Sequence, residues 1–130
     1  MDVRTDYLLI AESGMQPTIP SVKGKHVEQL QTLVSGNAEE IDKKIFPVRF
    51  NLYANKERRS LNMHCNAFVT LLLDRYVVGP VVIARASGGL TVDDMNELVR
   101  LLTPVNDRLN RMEPTEIDRL CYDVYEKHAA

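Results

Sequence analysis

Only two cysteines occur in the chain, Cys65 and Cys121, and neither stands in a metal-type spacing. That excludes a disulfide-dense secreted scaffold, and it predicts two free, buried thiols in a reducing cytosol, with a disulfide between them as the lesser alternative. Histidine is equally sparse. His26, His64 and His128 share no spacing and no neighbouring carboxylate pattern, so the adjacent pair His64-Cys65 lacks the further ligands a metal site needs. No metal or cofactor is expected. Long hydrophobic runs are missing too, since the longest fall far short of the ~20 residues a membrane helix requires. The start, Met1-Asp2-Val3-Arg4-Thr5-Asp6, lacks the basic and apolar segments of a secretion signal. A soluble, cytoplasmic protein with no membrane partner is the expectation.

Charge of one sign is also lacking. The 16 basic and 18 acidic residues give a formal net charge of -2. From Thr103 onward there are four basic and six acidic residues, which leaves twelve of each before it. A DNA-wrapping protein would be basic and a DNA mimic strongly acidic, so neither class fits. No internal repeat or low-complexity tract is present. What remains is ordinary globular material, 130 residues with 45% hydrophobic and 26% charged, long enough for one domain with its own core.

The most apolar stretch, Asn66 to Ala86, organises the rest. Asn66 is placed to cap a helix from Ala67 to Leu73 that is apolar on nearly every side and therefore buried; a buried strand is the rival reading. Val77 to Ala86 is β-branched around Gly79-Pro80 and reads as a buried strand beginning after the proline. Upstream, Tyr7-Leu8-Leu9-Ile10-Ala11 predicts a first strand, followed by a connection kept extended by Pro17 and Pro20. Val27, Leu30, Leu33 and Val34 share one face of a helix that starts near Lys25 and ends at a left-handed Gly36. Ala38 to Ile45 reads as an edge strand. Val48, Phe50, Leu52 and Ala54 alternate with Arg49, Asn51, Tyr53 and Asn55 in a half-buried strand. Asn55 to Arg58 then makes a hairpin turn, with Ser60 to Met63 as the return strand.

After Ser87-Gly88-Gly89, Thr91 and Asp94 form an aspartate variant of the capping box for a helix striped by Val92, Met95, Leu98, Val99 and Leu102. Thr103-Pro104 is expected to break that helix and start another, carrying Val105, Leu109 and Met112. Ile117, Leu120, Cys121, Val124 and Tyr125 stripe a final helix. The fold class is α+β: a small, mostly antiparallel sheet, one short buried helix, an amphipathic helix packed on the sheet and a C-terminal helical extension. Residues 1–102 make the core domain, and residues 103–130 pack on it or on a second subunit.

Four motifs carry a resemblance. They are Leu30-Gln31-x-x-Val34-x-Gly36, Asn66-Ala67-Phe68-Val69-Thr70, Val78-Gly79-Pro80-Val81-Val82-Ile83 and Leu90-Thr91-Val92-Asp93-Asp94. Over about residues 26–102 the chain resembles an uncharacterised small-domain family frequent in bacteriophages, plasmids and actinobacterial genomes. Family members often have a proline shortly before the Asn, where this chain has Met63-His64-Cys65, and Val69 shifts the spacing to Thr70. The resemblance implies a phage or mobile-element setting, in which small accessory proteins act on host machinery. It implies no particular activity.

One surface invites a ligand. Lys43, Lys44, Arg49, Lys56, Arg58 and Arg59 face a single acid, Glu57, between residues 43 and 59. Arg49, Asn51 and Tyr53 are expected on one strand face, where a guanidinium, an amide and a ring could hold a phosphate, a base edge and a base face. With Lys56, Arg58 and Arg59 they form the candidate ligand site. A solvated strand face guarding a sheet edge is the commoner meaning of such a pattern. Gly88-Gly89 before a helix start resembles a phosphate loop but lacks the lysine of one, and reads as a turn.

Three functions remain in view. The chain is expected to be a non-enzymatic accessory protein that binds a host protein, as a homodimer. The alternatives are a binder of a small anionic ligand (a nucleotide or cyclic signalling nucleotide) or RNA through the basic hairpin, and an enzyme of unknown type.

Overall fold

The computed structural model describes residues 7–11, 14–18, 26–42, 46–58, 60–61, 63–85 and 89–129. Among the described residues five strands and four helices follow in the order β1 (Tyr7–Ala11), β2 (Gly14–Thr18), α1 (His26–Val34), β3 (Ala38–Ile41), β4 (Phe50–Asn55), α2 (Ala67–Leu73), β5 (Val81–Arg85), α3 (Val92–Asn110) and α4 (Pro114–Ala129). The strands form one sheet in the order β2-β1-β5-β4-β3. Each neighbouring pair is antiparallel. The α+β architecture with a C-terminal helix therefore stands.

The sheet is covered on both sides, which explains the unbroken apolar run of β5. Leu8, Ile10, Phe50, Leu52, Val81 and Ile83 face α2 and α3, packing against Phe68, Val69, Leu73, Leu98 and Leu102. Tyr7, Val82 and Ala84 face α1 and pack against Leu30 and Val34. A strand buried on both faces cannot alternate apolar with polar residues. In β4 the alternation survives, because Asn51 and Tyr53 on the second face are only half-buried.

Two buried asparagines fasten the helices to this sheet. Asn66 is fully buried. Its Oδ1 accepts from Val69 N at 3.2 Å, capping α2, while its Nδ2 donates to Ile10 O at 3.0 Å and Gly79 O at 2.9 Å. One side chain thus caps the helix and ties it to β1 and to the approach of β5. Asn55 does the corresponding work at the end of α1, donating to Val34 O and Ser35 O at 3.1 Å each. A Cβ on Gly36 would lie 2.7 Å from Asn55 Nδ2, so this close approach requires glycine there.

Several expectations are corrected. The left-handed residue ending α1 is Ser35, at φ 61°, one position before Gly36. Gly36 N then bonds to Gln31 O at 2.9 Å, and Ser35 N to Thr32 O at 3.4 Å, which makes a Schellman ending. The extended connection through Pro17 is in fact the edge strand β2, with Pro17 opposite Leu8; an edge is where a residue without an N–H is tolerated. Ser60, Leu61 and Met63 do not return as a strand, Asn62 lies outside the described residues, and β4 pairs instead with β3 and β5. Residues 60 and 61 are turn, closed by Leu61 N to Glu57 O at 3.0 Å.

The break at Thr103-Pro104 does not occur either. α3 runs from Val92 to Asn110 with Pro104 inside it, so the boundary drawn at residue 102 falls within a helix. Leu98 and Leu102 before the proline and Val105 and Leu109 after it pack on the same core. Burial on one side carries the helix on past the proline, and Pro104 itself is exposed. The last correction concerns the cysteines. Cys65 and Cys121 are joined in a disulfide, with Cα atoms 6.4 Å apart, and are not free thiols. The bond fastens α4 to the segment just before α2.

Among the described residues no helix is long and apolar enough to cross a membrane.

Candidate functional site

The basic stretch divides three ways in space. Arg49 lies just before β4 and turns towards α3, where its Nε donates to Asp94 Oδ1 at 3.0 Å and its Nη2 bonds Glu97. Its guanidinium carbon also stands 4.5 Å from the centre of the Phe50 ring. Asn51 and Tyr53 belong to the α1 side of the sheet, and Asn51 Nδ2 donates to the Tyr53 hydroxyl at 3.2 Å. The expected common face for Arg49, Asn51 and Tyr53 is therefore not formed. Arg49 precedes the strand, and the carboxylates of α3 draw it to the opposite side.

Arg58 is buried where the chain leaves β4, bonded to Glu39 and to Asn55 O. Lys56 is exposed in the same turn. Arg59, Lys43, Lys44 and Gly88 lie outside the described residues.

The polar centre that results was not anticipated. Asp94 is 2% exposed and closes the capping box of α3, accepting from Thr91 N at 3.0 Å while its own N–H donates to Thr91 Oγ1 at 3.0 Å. Arg85, at the end of β5, donates to both of its oxygens, from Nε at 2.6 Å and Nη2 at 3.3 Å. With Arg49 the carboxylate thus holds two guanidiniums, each about one-third exposed. Burial pushes the Asp94 carboxyl upward, but the Thr91 amide and the two arginines outweigh it and hold it well below the usual carboxylate range. Hydrogen bonding to Glu97, then to Asp94, raises Arg49 further above its already high value. The sequence signalled the Thr91–Asp94 box; the arginines arrive from strand ends 45 and 9 residues upstream of Asp94, which no local pattern announces. Such a centre clamps the start of α3 to β4 and β5, and its charges are matched internally.

Two concave features lie along α4. A cavity of about 240 Å³ is lined by Tyr76, Asp118, Cys121, Tyr122 and Tyr125. Tyr76 and Tyr125 meet edge to face with ring centres 5.1 Å apart. The Tyr122 hydroxyl donates to Glu126 at 2.8 Å, which, as the main cause, raises its pKa. A larger groove, about 390 Å³, is lined by Met112, Glu116, Arg119, Leu120, Asp123 and Val124. Among the described residues no group of three or more His, Cys, Asp or Glu side chains is arranged to hold a metal ion.

In comparisons with known proteins, the chain matches no family model, no curated protein and no solved structure.

Proposed function

We propose that the chain is a non-enzymatic binding protein that acts by docking another protein on the outer side of its last helix. The groove between the α3–α4 turn and α4 carries this reading. Met112, Leu120 and Val124 supply an apolar lining, and Glu116, Asp123 and Arg119 edge it. Tyr122 and Tyr125 stand on another face of α4, where they line the smaller cavity. An apolar seat with a charged rim is the composition of a protein interface. Two carboxylates to one guanidinium at the rim suit a partner segment whose apolar face is flanked by lysine or arginine.

The buried polar groups support a structural role for the rest of the fold. Asn55, Asn66, Thr70, Asp94 and Arg58 all make hydrogen bonds within the domain. The anionic-ligand reading draws less support, because Arg49 and Arg58 are both engaged by carboxylates. A host protein as partner, in a phage or mobile-element setting, is supported by the resemblance of residues 26–102.

The test uses the tagged full chain in bacterial lysate, compared with a Leu120→Asp/Val124→Asp variant and with Lys56→Ala. Specific capture of a protein that is lost in the groove variant and kept in Lys56→Ala supports the proposal. Capture unaffected by the groove variant overturns it. A nucleotide-sized adduct that disappears in Lys56→Ala moves the function to the basic turn. A homodimer in light scattering that dissociates in the groove variant gives the groove to a second copy and overturns the host-partner reading.

A further inference from the structure

The two ends of the disulfide are held in different ways. Cys65 is set by the core: its backbone bridges to Val78, and its Sγ lies 3.5 Å from Thr70 Oγ1. That hydroxyl also donates to Val77 O at 3.2 Å and accepts from Val77 N at 3.1 Å, so the surroundings of Cys65 are fixed by bonds that do not involve sulfur. Cys121 is set by α4, which packs against α2. Beside the disulfide, α4 is tied down by the Tyr76–Tyr125 ring pair and by an exposed Lys127–Asp74 pair at 3.5 Å. Exposed pairs of that kind hold little. The cavity of about 240 Å³ reaches the bond from the α4 side, and Cys121 forms part of its wall.

We propose that Cys65–Cys121 is a thiol-exchange site, a clasp whose opening by a dithiol reductant releases α4 from α2. The proposal does not depend on any protein partner. A reductant thiolate enters through the cavity and attacks Cys121 Sγ. The S–S bond breaks, and its electron pair leaves on Cys65 Sγ, within reach of the Thr70 hydroxyl. Cys121 now carries a mixed disulfide with the reductant. The second thiolate of the reductant attacks its own bonded sulfur, closes the reductant into a cyclic disulfide and frees the Cys121 thiolate. Two electrons and the two protons of the dithiol pass to the protein, and the dithiol is oxidised. With the clasp open, α4 is held by half-buried Ile117, Leu120 and Val124, the ring pair and the exposed ion pair, while the sheet, α1, α2 and α3 keep their own core.

The purified full chain tests this with two thiol probes. Peptide mapping of the unreduced protein is expected to show Cys65 joined to Cys121; two alkylatable thiols in protein folded under air would overturn the proposal. Limiting glutathione is expected to leave its adduct on Cys121, and an adduct on Cys65 contradicts attack through the cavity. Under dithiothreitol, amides of α4 are expected to exchange about tenfold faster or more, while those of β5 keep their protection. Cys65→Ser and Cys121→Ser are expected to reproduce that pattern without reductant and to ignore dithiothreitol. Unchanged exchange in α4, or protection lost from β5 at the same time, overturns the proposal.

Discussion

The sheet and the last helix are parts of one domain held by different forces. Around the sheet, two layers of apolar side chains close on β5 from opposite faces, and buried asparagines fasten α1 and α2 to it. At α4, burial thins out: Cys121 is buried, Ile117, Leu120 and Val124 are half-buried, and Tyr122 and Tyr125 are exposed. A covalent bond makes up for it. Where contact area is large the chain needs no staple, and where it is small one bond between residues 56 apart fixes the helix.

The largest expected effect comes from breaking the sheet side. Asn66→Ala removes three hydrogen bonds and leaves Ile10 O, Gly79 O and Val69 N buried without that partner. A loss of about 4 kcal/mol is expected, measured as a shifted urea midpoint. Reducing the disulfide comes next. Releasing a loop of this length costs about 4 kcal/mol in the chain-entropy account, and the melting temperature of oxidised and reduced protein measures it.

Asp94→Asn sharpens the comparison from the α3 side, with an expected loss of about 2–3 kcal/mol, since the two arginines it abandons can rehydrate. The pH dependence follows from the depressed carboxyl. Its stabilisation is present above the unfolded value of about 3.9 and is lost as the pH falls below that towards the folded value. Urea midpoints from neutral pH down to about pH 3 are therefore expected to fall less steeply in Asp94→Asn than in the parent chain. The smallest effect belongs to α4 itself. Lys127→Ala removes an exposed ion pair and is expected to cost under about 0.5 kcal/mol by the same denaturation.

These contrasts bear on what could be read before the fold was known. β4, α1 and α4 follow from periodicity, β1 and β5 from short apolar runs, α2 from its Asn66 cap and leucines, and the caps Asn66 and Thr91 from their side-chain chemistry, because each depends on neighbours within a few residues. β2 escaped, since Gly14 to Thr18 neither alternates nor excludes Pro17, and its strand character comes from pairing with β1. Pro104 escaped for a similar reason: packing on both sides of it overrides the local preference to stop the helix. At the candidate site, one-dimensional reading grouped Arg49 with Asn51 and Tyr53 by period two. The carboxylates of Asp94 and Glu97, supplied from another element, decide where the guanidinium goes. The disulfide was illegible for the same cause, as neither cysteine's local sequence names the other.

The most direct test of the contrast is a pair of amide ¹H–¹⁵N spectra, oxidised and reduced. Resonances of α4 and of the segment around Cys65 are expected to move on reduction, with α4 shifting towards unstructured values and β1, β4 and β5 unmoved. Shifts spread across the sheet, or an α4 that stays in place, would contradict the account.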